Sequence, residues 1–527
     1  MIEKLIQYST IFFLISDDTV CGNETLVRGN RIKTFDYQVI NPVTGMDIIL
    51  EILLTIAVTV SASIISLCLG WCYLYPRRVS REICPDEIDH RRDPVQDNYT
   101  RPETKGPKYV SELSTREEQN RDKTLRQMFK IVFKQNDLYV WLVLMMFIFY
   151  GLPAIQLVFK YQDVLRGTGN NDLCYYNFLC TVPTGKVQDF GHILSNIAYI
   201  AFGFTYLTLI GLRKHFYVKK IERERSIINE SGNYIARGVP QHFGIFYALG
   251  FALIFEGVLS ATYHVCPTGE NFQFDTTFMY LLALLGFIKI YQFRHPDASS
   301  NAYKAFFGIA LVMFLEVLGI YMNNTAYWIF LLLLYLSAII LLTSVLYHPG
   351  KWSLSHMTPI WLFQSMYGKV KDPKTFAQNV SKKRSTFILI IDFINIGFII
   401  YGAVTQPNIS SYFLFIFIGN LMVYFLYYVS LKLLHKEMIP YQAYIISVLA
   451  LICWVPALYF FVSKKTSSNL SPAASRNLNE DCVLGDLFDV HDVWHFLSGA
   501  GLFLSFALLI ILDDGIAQVP RNKIVVF

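Results

Sequence analysis

Charge is scarce in this sequence. Asp, Glu, Lys and Arg make up 16% of its 527 residues, against about 25% in an ordinary soluble domain. That is too little to solvate the several cores and polar linkers that a water-soluble chain of this length needs. A clean leader is also missing. The apolar patch at 11–15 is short and Asp17 and Asp18 follow at once, so it reads as a β-strand rather than a signal peptide. Two loops, near 322–325 and 404–410, contain no basic residue at all.

What is present is apolar. Hydrophobic residues make up 54% of the chain, and 33 Tyr and 42 Phe supply aromatic belts. The apolar runs are long enough to cross a bilayer, which takes about 20 residues per helix. The sequence predicts eleven such spans, near 46–75, 138–160, 190–212, 243–264, 273–293, 302–321, 326–347, 385–403, 411–433, 439–462 and 491–512. The first is expected to stop at Pro76, Arg77 and Arg78. The weakest is 385–403, where Asp392 and Asn395 leave a re-entrant segment as the alternative. The fold class is therefore all-α integral membrane, an eleven-helix bundle. The mixed-charge stretch 76–137 reads as a disordered cytosolic loop, 138–513 as a ten-helix domain, and 514–527 as a cytosolic tail.

Basic residues fall on alternate loops. Arg77, Arg78 and Arg81 follow the first span; Arg213 to Arg225, Arg294, Lys369 to Arg384, Lys432, Lys436, Arg521 and Lys523 mark later ones. By the positive-inside rule the N-terminus is outside and the C-terminus cytosolic. Cys174, Cys180, Cys266 and Cys482 then lie in outer loops, an even number on the oxidising side, which predicts two disulfides with three pairings open. The sequons at Asn23 and Asn469 fall outside, so a glycoprotein is expected, although Asn98, Asn229 and Asn379 carry the same pattern on the inner side. Leu69, Tyr73 and Arg77 match a proposed cholesterol pattern, which is a weak signal.

Polar residues inside spans carry the chemistry. Glu256, Ser260 and His264 are spaced four apart on one helical face. After a short outer turn Asp275 re-enters at the depth of His264. The last span opens with His491 and His495, the i, i+4 spacing that lets two imidazoles reach one metal. Three helices thus bring His264, His491, His495 and Asp275 to one level, a donor set suited to Zn2+. Either the three His bind zinc while Asp275 orients a water, as in a hydrolase with Ser260 and Asp275 as catalytic residues, or Asp275 closes the site as a structural clamp. The plainer alternative is interfacial histidines that face water. Glu256, Ser260 and His192 are candidates to support the ligands from behind. Asp189, His192, Ser195 and Asn196 form another polar cluster, which helix capping by Asp189 explains equally well.

Four stretches together resemble one family. They are Gln241-His242-Phe243-Gly244-Ile245-Phe246-Tyr247-Ala248, the run from Glu256 to Pro267, Asn271-Phe272-Gln273-Phe274-Asp275, and His491-Asp492-x-Trp494-His495-Phe496-Leu497-Ser498. They resemble the SID transmembrane family, named for systemic RNA interference deficiency, which includes cholesterol uptake proteins. The resemblance runs from about residue 10 to Phe527. It implies eleven helices, an outer β-sandwich, and uptake of double-stranded RNA or cholesterol. It also implies kinship with the alkaline ceramidases and adiponectin-type receptors, whose zinc-site motif matches Ser260, His264, Asp275, His491 and His495. It favours Cys174 paired with Cys266, and Cys180 with Cys482. Residues 1–45 match only the last strands of the family's outer domain, 9–15 and 33–40, and are expected to be a truncated remnant. RNA is held through phosphate contacts that need basic residues. The outer loops offset Lys464 and Lys465 with Glu480, Asp481, Asp486 and Asp489, so RNA capture without a full outer domain is not expected. The expected partners are membrane lipids, cholesterol or sphingolipid, and a second copy of the chain as a homodimer. A zinc-dependent lipid hydrolase, a ceramidase-like amidase, is the competing function. Plasma membrane and endolysosome both fit.

Overall fold

The computed structural model describes residues 45–83, 138–168, 173–184, 187–231, 237–295, 302–322, 324–346, 382–463 and 470–526. The expected strands at 9–15 and 33–40 and nearly all of the 76–137 loop lie outside the described residues. Within them, eleven helices are long and apolar enough to cross a membrane: α1 Ile48–Tyr73, α2 Leu138–Thr168, α3 Phe190–Lys220, α4 Gly244–Tyr263, α5 Phe272–Arg294, α6 Ala302–Met322, α7 Thr325–Thr343, α8 Phe387–Thr405, α9 Ile409–Leu434, α10 Tyr441–Ser463 and α11 Val490–Ile516. The chain is a multi-pass helical membrane protein.

One boundary differs from the sequence reading. The helix of α1 runs Gly45–Ile83, straight through Pro76. Proline removes one backbone bond and crowds the carbonyl four residues earlier. Here it falls in the last turns, where the sequence adds three arginines near the end of the helix that favours positive charge. In α2, Pro153 follows a π-helical turn at Phe147–Gly151, the kind of local widening that accommodates a missing donor. The 387–405 segment is a full span, not a re-entrant one. Its polar residues pair with α7: Thr343 donates to Asp392 at 2.7 Å, and Tyr335 donates to Asn395.

α4 and α5 are the most enclosed helices, whereas α1, α7, α8 and α10 expose most of their length, as lipid-facing helices do. α4 packs between α3 and α5, α5 against α9, and α11 returns to lie against both α3 and α10. This last packing brings the start of α11 to the ends of α3 and α4. Small residues permit the approach. A Cβ on Gly257 of α4 would sit 2.8 Å from Ile200 and 3.1 Å from the Asn196 carbonyl of α3.

At the opposite end of the bundle, buried ion pairs tie helices together. Arg213 binds Asp514, which also accepts from Tyr73 at 2.8 Å. Lys432 and Tyr428 each donate to Asp513 at 2.6 Å, and Arg294 and Lys432 share Glu437. The C-terminal segment is part of this end. Ile516, Ile524 and Val526 are buried, and Gly238 donates to the Val519 carbonyl at 2.8 Å. His242 lies beside this segment. Burial, with Lys289 and Arg521 nearby, holds its imidazole down at about 3.

Candidate metal centre

Three imidazoles converge where α3, α4 and α11 meet. His264 closes the C-terminal end of α4, its amide bonded to the Ser260 carbonyl at 3.1 Å. His491 and His495 occupy successive turns at the start of α11. That start is fixed by a reciprocal cap. The Asp489 carboxylate accepts from the amides of His491 and Asp492, at 2.7 and 3.2 Å, while Asp492 accepts from the Asp489 amide at 2.9 Å. Ring centroids are 5.0 Å apart for His264–His491 and His264–His495, and 4.5 Å for His491–His495. One nitrogen from each ring lies within 4.8 Å of the others, and all three residues are buried.

The Asp275 carboxylate is not among these mutually close donors. It accepts a hydrogen bond from Ser260 and lines the cavity in front of the imidazoles. Glu256 is buried two turns deeper on α4 and does not join the convergent group. The Ser195 hydroxyl stands 2.9 Å from His495 Nδ1 and donates to the His192 carbonyl at 3.0 Å.

His192 does not enter the set either, but its ring stacks 5.0 Å from His264 and 5.7 Å from His491. It is ringed by carboxylates: Asp189 at 2.8 Å, Asp489 at 3.4 Å and Asp492 at 3.6 Å. Asp189 also caps α3 by accepting from the His192 amide at 3.3 Å, so one carboxylate both caps the helix and contacts the His192 ring. The sequence reading did not connect Asp489 and Asp492 to this cluster. The spacing Asp-x-x-Asp ahead of an apolar run was the available signal.

The residues fit a zinc ion chemically. Three imidazoles are the nitrogen donors of an open zinc site. Buried charge is costly unless compensated. The buried side chains of Asp189, Asp489 and Asp492 gather acidic groups around His192, and a dication held by the adjacent rings would offset negative charge there. Zinc held there by His264, His491 and His495 would supply Lewis acidity to the site.

Two disulfides form the roof. Cys174–Cys266 and Cys180–Cys482 join three loops at this end, the pairing the family resemblance implies. Asn177 fixes the last loop by donating to the Glu480 carbonyl at 2.9 Å and to Asp489 at 3.0 Å. Tyr176, below, donates to the Val265 carbonyl at 2.7 Å, and burial with nearby Asp189 pushes its phenol up. A cavity of about 220 Å³ lies beneath. Its lining includes His264, His491, Asp275 and His192 together with Met279, Leu414, Phe461 and Trp494.

Known proteins share this sequence pattern. A family model described as "dsRNA-gated channel SID-1" matches residues 5–527. SID1 transmembrane family member 1 of Mus musculus is 38% identical over 423 residues, covering 80% of this chain and 49% of that protein. The protein of the same name from Homo sapiens is equally similar. Cholesterol uptake protein 1 of Caenorhabditis elegans is 31% identical over 398 residues, 74% of this chain and 51% of that protein. The chain spans about half the length of the curated relatives it matches.

Proposed function

The chain belongs to the SID-1 family of membrane proteins, and from that premise we propose that it mediates uptake across the membrane, with a sterol or other lipid as the species this transmembrane region handles. One observation carries the choice. The cavity is lined by His and Asp side chains and also by Met279, Leu414, Phe461 and Trp494. At about 220 Å³ it is smaller than a pocket that engulfs a whole small molecule. It suits the polar end of a lipid whose apolar remainder extends along the helices. The related cholesterol uptake protein supports the same ligand class. The family's description as a dsRNA-gated channel supports RNA as a second cargo, and the phosphate contacts that RNA requires belong to an outer domain.

In this reading zinc is held by His264, His491 and His495, with Asp275, bonded to Ser260, lining the adjacent cavity. The alternation of basic loops supports an orientation with this end on the non-cytosolic side, in the plasma membrane or an endolysosomal one. Lipid hydrolysis is the second reading, favoured by the Ser260–Asp275 pair beside an open three-His set.

The experiment is binding of a fluorescent sterol to the purified full chain, with and without Leu414→Trp. Saturable binding that this substitution weakens at least about tenfold supports the proposal. Absence of sterol binding, with labelled duplex RNA taken up by cells expressing the chain, overturns it. Turnover of a lipid amide or ester that Asp275→Asn abolishes moves the assignment to the hydrolase.

A further inference from the structure

α1 carries two thiols on its lipid-facing side. Cys68 and Cys72 stand four apart on one face of the helix, and both are exposed. Ile65 and Leu69 share that face and are exposed as well, so the thiols continue an apolar stripe. α1 is also the least enclosed of the eleven spans. The other free thiol among the described residues, Cys453 of α10, is half-buried, and the four outer-loop cysteines are joined in disulfides.

Two contacts set the depth of Cys72. The Trp71 ring lies 5.8 Å from that of Phe216 of α3, and Tyr73 donates at 2.8 Å to Asp514, the partner of Arg213. Cys72 therefore sits between an indole and a phenol, the side chains of a membrane–water boundary. It lies at the level of the ion pairs at the basic end of the bundle. Pro76, Arg77 and Arg78 follow directly along the chain. Cys68 is one turn further in, about 6 Å along the axis.

Two thiols are too few donors for a metal. On the reducing side of the membrane they stay unoxidised. A cysteine at this boundary is the position at which a membrane helix receives an acyl chain. Coenzyme A, the carrier of such chains, is a polyanion that stays in the water beside the arginines. The chain itself has the exposed stripe to lie along.

We propose that Cys72 is an S-acylation site for a long-chain fatty acid. The sulfur gives up its proton and attacks the thioester carbonyl of an acyl-coenzyme A. The new carbon–sulfur bond forms as the bond to coenzyme A breaks, and coenzyme A leaves as a thiol with that proton. Cys68 stays free, because the charged donor does not reach a turn deeper into hydrocarbon. The acyl chain gives a sparsely packed helix a second attachment beside the Tyr73–Asp514–Arg213 linkage. The site rests on the orientation read above, with this end cytosolic.

The test expresses the full chain, with an epitope after Phe527, in animal cells. Free thiols are blocked and thioesters are cleaved with hydroxylamine. The released thiols are tagged with a polyethylene glycol maleimide, so each acylated cysteine adds one mass step on a gel. Cys72→Ser should remove one hydroxylamine-dependent step and Cys68→Ser none. Both positions are exposed, so neither substitution disturbs packing. Absence of any step in the unaltered chain overturns the site, as does a pattern that Cys72→Ser leaves unchanged or Cys68→Ser alters. The epitope should stain only after permeabilisation. Staining of intact cells refutes the orientation, whereas a missing step with the epitope inside refutes the site alone.

Discussion

The Ser195 hydroxyl lies 2.9 Å from Nδ1 of His495 and has already given its hydrogen to the His192 carbonyl. With the hydrogen kept on that carbonyl, the hydroxyl accepts from the ring. In that arrangement the ring hydrogen is on Nδ1 and the Nε2 lone pair is left for a metal. Ser195→Ala should weaken zinc binding about 10–100-fold while the helices stay folded. Competition with a fluorescent chelator reads the change. Equal affinity in both proteins would show that the tautomer is set elsewhere.

His491→Ala removes one of three donors, and stoichiometric zinc should be lost. Metal content by mass spectrometry decides this directly. If zinc remains at one per chain, the ion sits at another set of ligands.

Asp513→Asn at the opposite end leaves Lys432 and Arg294 buried beside a neutral amide. Breaking a buried pair by removing one partner costs about 3–5 kcal/mol. The expected result is a large fall in Tm with zinc stoichiometry unchanged, because the two sites are at different ends of the bundle.

His242 gives a pH dependence with a defined sign. Its folded value, about 3, lies below the ordinary value near 6.5. Between these two the unfolded chain binds a proton that the folded chain refuses. This contribution to stability is complete above about pH 6.5 and is lost as pH falls toward 3, at up to about 1.4 kcal/mol per pH unit. Tm measured from pH 7 to 4 should fall less steeply for His242→Gln. An identical slope would show that other groups dominate.

The spans were legible because each apolar run is longer than any soluble core needs, and even Asp392 and Asn395 did not break one. The end of α1 was not legible, since a proline near a terminus loses only one bond. The topology signal was partly borrowed: Arg213, Arg294 and Lys432 follow the positive-inside pattern but are paired, half-buried or buried, with Asp514, Glu437 and Asp513. In the candidate site, the i, i+4 spacing of His491 and His495 and the four-residue step from Ser260 to His264 were enough to bring the imidazoles together on paper. Helical period says nothing about which remote carboxylate arrives within bonding distance. Asp275 turned toward Ser260, and Asp489 and Asp492, whose caps are local to α11, reached His192 of α3. Cysteine spacing alone left three pairings, and only the family resemblance chose among them.

The bond between Cys180 and Cys482 bridges 302 positions of sequence, and two of the three convergent imidazoles sit on α11. Neither the roof nor the ligand set can close while the ribosome is still threading earlier helices. The cluster is completed only once α11 has been made, so a nascent chain halted before residue 491 would lack two of its three imidazoles.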